Sequence, residues 1–423
     1  MTELLNNETV VDYIAQHPEF AKHIDVATAK AKEIGDGNLN LVFLVKDADG
    51  RGLVVKQTLP YVRSDHSWKV TEDSIFAEAR GLEAADKYTN GLSPKFYGLD
   101  RDRRLVVIED LSDWAQWREA LDEGSVNPGA ARDVGRFVAR LAYGTSYFSR
   151  EPQDVQKAAA ESINPELEQI TEDLIFEEPY YEHEHNGWEP GATDLVLALR
   201  DEELRTQVAK LKYEFLTNGE ALLHGDLHSS SLFVRSEKNP VADDDTESPR
   251  IKAYDFEFGF YGPVAFDLGI LWGNFLLAQA RELALLADGP ETIGVREGKD
   301  FARFDWLISL YEEAWDGFET EFRRLVGEHK ADKIFTDAFV DGWIARTLRF
   351  AAGYAGAEGI RRTIGWAHLP DLETLGPDRK VWASRVVLTA SRALLERFEE
   401  VGSAADVRRI VEESIPTSQR SQA

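Results

Sequence analysis

The sequence predicts an α+β protein with two lobes, a small N-terminal lobe with an antiparallel sheet and a larger, mainly helical C-terminal lobe. A chain of 423 residues is too long for one ordinary hydrophobic core. Residues 39–108 contain β-rich runs, whereas the long segments after residue 130 carry apolar residues at spacings of three and four. We therefore expect two domains, residues 1–110 and residues 111–423.

The predicted N-terminal lobe opens with a segment, residues 8–24, that is amphipathic in the helical sense, with Val10, Val11, Ile14 and Phe20 on one side. Strand patterns follow it. The other elements predicted in this lobe are a hairpin with strands at 39–46 and 52–57, a helix at 74–86 and a buried strand at 104–108.

Helical spacing dominates the C-terminal lobe, with one interruption. The predicted helices are residues 134–148, 163–175, 202–220, 304–326 and 386–398. A β-like region at 222–258 interrupts them and contains a polar stretch at 236–250. Because β-like runs flank this stretch closely, we expect an exposed hairpin tip rather than a linker between domains.

The composition excludes several classes of function. The chain has no cysteine, which rules out disulfides, thiolate metal sites and cysteine nucleophiles, and fits a reducing compartment. A net charge of −28 repels DNA, RNA and anionic membranes, so we expect no nucleic-acid partner. The acidity fits either a solvated surface or adaptation to a salty cytoplasm. The polar, acidic opening residues and the lack of ~18 consecutive apolar residues predict a cytoplasmic protein without a membrane span.

Two acidic motifs flank the hairpin predicted in the β-like region. The motif HGDLH at 224–228 precedes it, and YDFE at 254–257 follows it. Phosphoryl transfer to a hydroxyl needs one carboxylate that orients the hydroxyl and accepts its proton, and a second that holds Mg²⁺. We assign the first role to Asp226 and the second to Asp255, with Glu257 projecting the same way from an extended segment. A single acid in so acidic a chain is best explained as a surface group, but the whole set favours a kinase.

A basic group for ATP phosphates is predicted in the N-terminal lobe. Lys56 lies within the apolar run LVVKQ, and an ammonium facing the interior of a lobe requires an anionic partner. We expect it to pair with phosphates and with the carboxylate of Glu78. The alternative is that Lys56 faces solvent from an alternating strand. The glycine-rich turn at 35–40 would let the backbone approach phosphate, with Asn40 donating to it.

A hinge between the lobes is predicted directly after the strand at 104–108. This strand leads into Glu109, Asp110 and Leu111. The backbone of such a hinge is placed to meet the edge of an adenine ring.

Two adjacent arginines, Arg361 and Arg362, lie in a stretch that is otherwise apolar and rich in small residues. Neighbouring residues of a helix point in different directions, so we expect one arginine to reach a site and the other to form a structural ion pair. An arginine beside a transferred phosphate stabilises its charge. The alternative is that both form surface ion pairs.

The histidines are less specific. His183 and His185 admit a metal pair, but without further spaced ligands a solvated polar turn is the favoured interpretation. We expect His224 to be buried and to brace the catalytic loop rather than to carry protons.

With these residues in view, the chain resembles the 5-methylthioribose kinase family, which has the bilobal protein-kinase-like fold shared with aminoglycoside phosphotransferases. The HGD element is generic to this fold, whereas DFE with FYGP behind it and the double arginine before TIG are more specific. The resemblance runs nearly end to end and is carried by GDGNLN at 35–40, VKQTLPYVR at 55–63, IEDLS at 108–112, NPELEQITEDLIFEEPYY at 164–181, HGDLH at 224–228, DFEFGFYGP at 255–263 and IRRTIGWAHLPDLET at 360–374.

The resemblance implies ATP-dependent phosphorylation of 5-methylthioribose to its 1-phosphate in methionine salvage, by a cytoplasmic homodimer that uses Mg²⁺. The resemblance also implies binding roles for the residues of this chain that match the family's motifs by position. These are Asn40, Lys56, Glu109, Asp110, Leu111, Asp255 and Glu257 for ATP, with Asp255 and Glu257 on the metal, and Asp226, Arg361 and Arg362 for the sugar.

Departures from the family pattern leave the substrate open. Residues 229–231 are Ser-Ser-Ser where the family has Thr-Gly-Ser, Phe256 and Gly259 replace Pro and Ala, and the loop at 236–250 is longer. Alternatives are a kinase for another 5-deoxypentose or for a small alcohol of the homoserine, choline or aminoglycoside type. A nucleotide-binding pseudoenzyme is a further alternative, but the loss of Lys56, Asp226 or Asp255 expected of it is absent.

Overall fold

The computed structural model describes residues 3–34, 40–63, 65–69, 71–242, 245 and 247–415, so residues 35–39 of the predicted glycine-rich turn lie outside it. The elements up to residue 110 include the predicted hairpin, the helix at 74–86 and the strand at 104–108. In chain order they are α1 (Thr9–Gln16), α2 (Pro18–Ala21), β1 (Lys30–Ile34), β2 (Asn40–Lys46), β3 (Gly52–Thr58), β4 (Tyr61–Val62), β5 (Asp65–Lys69), α3 (Ser74–Tyr88), β6 (Phe96–Asp100) and β7 (Leu105–Glu109).

The rest of the chain is mainly helical. Its strands are β8 (Ala115–Gln116), β9 (Ala221–Leu222), β10 (Leu232–Val234), β11 (Ile251–Ala253) and β12 (Tyr261–Gly262). Its α-helices are α4 (Trp117–Asp122), α5 (Ala130–Thr145), α6 (Pro152–Glu161), α7 (Pro165–Glu172), α8 (Thr193–Ala198), α9 (Glu202–Thr217), α10 (Ala265–Leu286), α11 (Ala302–Glu328), α12 (Asp337–Ile364), α13 (Pro370–Glu373), α14 (Pro377–Arg397) and α15 (Ala404–Ser414).

A five-stranded antiparallel sheet forms the N-terminal part, in the order β1-β2-β3-β7-β6. Side chains alternate between its faces, because the side-chain period of a strand is two. On β3, Leu53 and Val55 pack with α1 and α2 in one apolar cluster, whereas Val54 packs in the cluster that contains α3. Lys56 follows the same alternation as Val54, so the strand directs its ammonium towards α3.

Two predictions for this part need correction. Residues 8–24 do not form one helical segment, because His17 is extended (φ −115°, ψ 94°) between α1 and α2. Pro18 causes this break, since a proline disfavours the helical conformation of the residue before it. Strands β1 and β6 were not predicted either; β1 (KAKEI) is largely exposed and charged, so its sequence has no apolar alternation.

The C-terminal part is built around α10, whose side chains from residue 265 to residue 280 are all buried. Helix α10 packs against α12, α12 packs against α14, and α5 packs against α11. The sequence did not predict α10, because a helix that is apolar on all sides has no amphipathic stripe. Among the described residues, no helix has the length and apolarity needed to cross a membrane.

The fold class is confirmed as α+β, with the antiparallel sheet preceding a mostly helical remainder. The predicted helices at 74–86, 134–148, 163–175, 202–220, 304–326 and 386–398 correspond to α3, α5, α7, α9, α11 and α14. The predicted hairpin around residues 236–250 is also confirmed, because β10 pairs antiparallel with β11. The division into domains at residue 110 stays a prediction.

Candidate functional site

A cleft of about 820 Å³ lies between the five-stranded sheet and the strands β8 and β10. Most of the residues that the sequence assigned to ATP line this cleft. They are Asn40, Lys56, Glu78, Glu109, Asp110, Leu111, Asp255 and Glu257. Asp226, Arg361 and Arg362 lie beside the cleft, and His228 connects the two groups because it lines the cleft and also contacts Asp226.

Lys56 lies at the centre of a cluster of charged side chains in the cleft. Its ammonium contacts Asp255, lies 3.3 Å from Oε1 of Glu78, and lies 3.8 Å from Oε2 of Glu257. Burial by itself lowers the pKa of Lys56, but the three carboxylates raise it well above its usual value. Lys56 therefore stays protonated inside the protein, and the interpretation that it faces solvent is wrong.

Asp255 and Glu257 converge on Lys56 from a segment that is not extended. Asp255 has φ +74°, a left-handed conformation that is uncommon outside glycine and that costs backbone free energy. The expectation that both carboxylates project from one extended segment is therefore wrong, although both reach the same lysine. Nδ2 of Asn40 donates to Oε2 of Glu257 (2.7 Å), and Asn164 donates to the carbonyl of Glu257 (2.7 Å).

Burial and charge act in opposite directions on these two carboxylates. Burial raises the pKa of Glu257 to about 7, with Lys56 as the main opposing influence. Burial would also raise the pKa of Asp255, but its contact with Lys56 lowers it. Carboxylate oxygens are the ligands that Mg²⁺ prefers, and the side chain of Asp255 is 39% exposed towards the cleft. The donor set of Asp255 and Glu257 thus fits a magnesium ion.

The loop that carries Asp226 is fixed by buried hydrogen bonds. Gly225 has φ +85°, and a Cβ at this position would lie 2.0 Å from the carbonyl oxygen of Phe258, so only glycine fits. Asp267 accepts from the backbone N–H groups of His224 (2.8 Å) and Gly225 (3.0 Å). His224 is fully buried, its Nε2 lies 2.8 Å from the carbonyl oxygen of Tyr254, and burial lowers its pKa to about 4. It braces this loop, as the sequence predicted.

Two guanidinium groups and one imidazole surround the carboxylate of Asp226. Nε2 of His228 lies 3.2 Å from Oδ2, while Arg361 and Arg362 approach Oδ1 at 3.3 Å and 3.4 Å. Burial would raise the pKa of Asp226, but His228, Arg362 and Arg361 hold it well below its usual value. Asp226 is therefore ionised and held in one orientation.

Each of the two arginines makes both kinds of contact, so the prediction of one functional and one structural arginine is wrong. Glu358 is fully buried and accepts from Nε of Arg361 (2.9 Å) and from Nε of Arg362 (2.7 Å). The NH2 group of each arginine is left to face Asp226. The long guanidinium group explains the difference, because its Nε and its terminal nitrogens can serve two carboxylates at once. The alternative of surface pairs is also excluded, since both arginines are less than 10% exposed.

A buried polar network extends behind Glu358 and was not predicted. Asn274 of α10 donates to Glu358 (3.3 Å) and accepts from Arg118, which also contacts Asp371. Nε of Arg118 donates to Ser230 in the loop after Asp226 (2.7 Å). The only sequence signal was the presence of polar side chains inside apolar runs of helices. The network links α4, α10, α12 and α13 to the loop that carries Asp226.

The predicted hinge lines the cleft, and its acidic side chains are engaged elsewhere. Oε2 of Glu109 pairs with Lys252 (3.0 Å), and Oδ2 of Asp110 pairs with Lys46 (2.9 Å). Recognition of an adenine edge by this segment would therefore fall to the backbone, as the sequence suggested. The rings of Phe233 and Tyr254, tilted by 31° with centroids 4.5 Å apart, line the same cleft.

One departure from the family pattern, Phe256, lies beneath the site. It is fully buried against the ring of His224 (4.5 Å) and packs on Gly81 of α3, the helix that carries Glu78. A second departure, Ser230, lines the cleft. Ser231, where the family also has serine, donates from its Oγ to the carbonyl of Asp226 (3.0 Å) and so supports the loop.

The fold and the site define a phosphotransferase: a small sheet presents a lysine to a set of carboxylates across a cleft from a helical lobe. The model of the phosphotransferase enzyme family matches residues 30–307 of the chain. Methylthioribose kinase from Yersinia pseudotuberculosis serotype O:3 (strain YPIII) is 38% identical over 393 residues, covering 92% of this chain and 91% of that protein. Methylthioribose kinase from Pectobacterium carotovorum subsp. carotovorum (strain PC1) is 40% identical over 349 residues, covering 82% of each. The chain belongs to the methylthioribose kinase family.

Proposed function

We propose that this protein transfers the γ-phosphate of ATP to the anomeric hydroxyl of 5-methylthioribose, giving the 1-phosphate, as a step of methionine salvage. Identity of 38–40% over most of the chain to proteins named methylthioribose kinase supports the substrate. The observation that carries the proposal is the arrangement of Asp226 between Arg361, Arg362 and His228, beside a cleft that contains Lys56, Asp255 and Glu257.

The N-terminal side of the cleft is proposed to bind ATP. Lys56 would exchange part of its contact with Asp255 for the phosphates, while Glu78 keeps the ammonium in place. Glu109, Asp110 and Leu111 would meet the adenine through their backbone, and Asn40 would contact ATP from the start of β2. Asp255 and Glu257 would hold Mg²⁺, which neutralises charge on the phosphates when bound.

The opposite side is proposed to bind the sugar. Asp226 would accept a hydrogen bond from the attacking hydroxyl and receive its proton. Arg361 and Arg362 contact this carboxylate already, so a hydroxyl bound to Asp226 lies within reach of both guanidinium groups. Their fixed positive charges would stabilise the incoming phosphate, because preorganised donors cost no reorganisation during the reaction.

A coupled assay of ADP release with and without 5-methylthioribose tests the proposal. We expect turnover that depends on this sugar and on Mg²⁺, with ³¹P NMR showing a phosphate on C1. Ribose, other 5-deoxypentoses, homoserine, choline and an aminoglycoside form the comparison panel. A higher kcat/KM for any of these compounds would reassign the substrate. Tight ATP binding without transfer to any acceptor would identify a pseudoenzyme instead.

We also propose that the protein acts as a homodimer in the cytoplasm, as its family resemblance implies. Light scattering coupled to size-exclusion chromatography at low and high salt tests the dimer. A monomer mass at all concentrations and salt levels would contradict it.

A further inference from the structure

A second cluster of metal-ligating side chains lies in the segment between α7 and α8. Ligand atoms of Glu178, His183 and His185 all lie within 4.8 Å of one another. Oε2 of Glu178 is 2.9 Å from Nδ1 of His185 and 3.5 Å from Nδ1 of His183. The sequence disfavoured a metal here because no third ligand was evident from the spacing. Glu178 supplies that ligand because the chain turns back between it and the two histidines.

The turn that brings these residues together is built by other contacts. Nδ2 of Asn186 donates to the carbonyls of Glu178 (2.7 Å) and Tyr181 (3.0 Å), which closes the turn at both ends. The backbone N–H of Gly187 donates to the carbonyl of Ile364 at the end of α12 (2.8 Å). The turn is thus fixed by Asn186 and Gly187 as well as by the backbone N–H of His185, which donates to Nδ1 of His183 (3.3 Å).

The three side chains are anchored and remain open to solvent. The side chain of Glu178 is 13% exposed, and those of His183 and His185 are 37% and 35% exposed. The two imidazole rings lie 4.6 Å apart, and the ring of His185 lies 5.8 Å from that of Trp366. An ion can therefore enter from solvent and meet three donors with few changes of side-chain position.

We propose that Glu178, His183 and His185 form a zinc site, separate from the site for Mg-ATP. Two imidazole nitrogens and one carboxylate oxygen are a ligand set typical of Zn²⁺, with a fourth position left for water. Mg²⁺ and Ca²⁺ prefer sets composed of oxygen, so the magnesium of the cleft is a poor competitor here. The chain has no cysteine, so no thiolate competes for the ion.

The zinc site would fasten the segment at 178–187 across the end of α12. Ile364, whose carbonyl accepts from Gly187, follows Arg361 and Arg362 by three and two residues. The ion would therefore stiffen the wall behind the double arginine without touching the sugar. We expect a rise in the melting temperature on zinc binding as the first consequence.

Zinc binding to the untagged, EDTA-treated full chain tests the inference. We expect one ion per chain by isothermal titration, and visible absorption typical of tetrahedral coordination when Co²⁺ is used instead. Glu178→Gln, His183→Ala and His185→Ala should each lower the zinc affinity by at least ~100-fold, because loss of a ligand costs no less than loss of an outer contact. His23→Ala, which removes a histidine stacked on Tyr97 in the N-terminal part, is the matched control.

Asp255→Asn distinguishes this site from the cleft. Zinc affinity that survives Asp255→Asn and falls in the three ligand variants would support the proposal. Loss of binding in Asp255→Asn alone would place the ion in the cleft and overturn it, and so would a wild-type chain that binds no zinc. Circular dichroism of each variant shows whether it is folded. Because Glu178→Gln keeps the shape of the side chain, normal affinity in this folded variant would also overturn the proposal.

Discussion

Replacement of Glu358 by glutamine is expected to damage both stability and sugar binding. Glu358 is fully buried and pairs with two arginines that are themselves less than 10% exposed. Glutamine keeps the size of the side chain but removes its charge, and its amide nitrogen cannot accept from a guanidinium. Removal of one partner of a buried ion pair costs ~3–5 kcal/mol, because a charge is left buried without compensation. We expect a loss of this size in the free energy of unfolding from urea titrations.

The effect on activity follows from the geometry of the two arginines. Glu358 holds the Nε atoms of Arg361 and Arg362, and this leaves their terminal nitrogens facing Asp226 at 3.3 Å and 3.4 Å. Without the anchor, the guanidinium groups turn towards Asp226 and no longer align for the substrate. A displacement of about 1 Å can lower the rate 100-fold, so we expect kcat/KM for the sugar to fall by ~10- to 100-fold. The KM for ATP should change little.

Glu321→Gln is the control for this experiment, because Glu321 also pairs with two arginines. It is 7% exposed and lies on α11, where Arg140 (2.6 Å) and Arg324 (2.9 Å) donate to it. The expected loss of unfolding free energy is smaller, about 1–3 kcal/mol, because the side chain of Arg324 is 47% exposed and stays hydrated. Its kcat/KM should stay within about twofold of the wild-type value. A folded Glu358→Gln variant with the kinetics of Glu321→Gln would refute the positioning role of Glu358.

Three more perturbations test other parts of the site and fold. Asp226→Asn should lower kcat by about 10²- to 10⁴-fold while ATP still binds, because the substitution removes only the proton acceptor. Single-turnover experiments measure the rate, and titrations measure the ATP affinity. An undiminished rate would refute the assignment of Asp226 as the base. Lys56→Ala should raise the KM for ATP at least ~10-fold by removal of the phosphate partner, and an unchanged KM would count against that contact. Burial raises the pKa of Glu321, but Arg324 and Arg140 outweigh it and lower this pKa from 4.5 to about 2. The ionised carboxylate therefore stabilises the folded state fully above pH 4.5, and this stabilisation is lost as the pH falls through about 2. The difference in unfolding free energy between wild type and Glu321→Gln should therefore be constant from pH 7 to pH 5 and shrink below pH 4.5; a constant difference down to pH 3 would contradict this.

Features that depend on neighbours in the sequence were predictable. The β2–β3 hairpin has two strands around a polar turn, and the apolar run around Lys56 favoured an inward-facing ammonium, although alternation along the strand left a solvent-facing lysine possible. The motifs at 224–228 and 254–257 contain their reactive carboxylates within a few residues. The break at Pro18 was missed, although a proline restricts the residue before it and the signal is local. Local physics is sufficient in each of these cases.

Features that depend on distant contacts were not predictable. Glu358 is one of 76 acidic residues, and the signal near it is only that it shares a small, apolar stretch with Arg361 and Arg362. That signal does not say which partner Glu358 meets. Its burial arises because α12 packs against α10, where a Cβ at Gly273 would lie 2.7 Å from the side chain of Glu358. Whether both arginines contact Asp226 depends on the packing of α12 against α10 and on the length of the arginine side chain. Spacing along one helix could not decide it.

The low pKa of Asp226 bears on how the proposed transfer proceeds and gives a last prediction. A carboxylate whose pKa is held low by His228, Arg362 and Arg361 is a weak proton acceptor, so it orients the hydroxyl and takes the proton late. A loose phosphoryl transition state permits this, because the nucleophile keeps its proton until bond formation is advanced. Removal of one cation by Arg362→Gln should raise the pKa of Asp226, so the acidic limb of kcat/KM should lie at higher pH in this variant than in the wild type. In the wild type, kcat/KM should fall only at a pH below the ordinary pKa range of aspartate, because the pKa of Asp226 is depressed in the folded protein. Superimposable pH profiles for the two proteins would show that Asp226 is not the group whose ionisation governs the reaction.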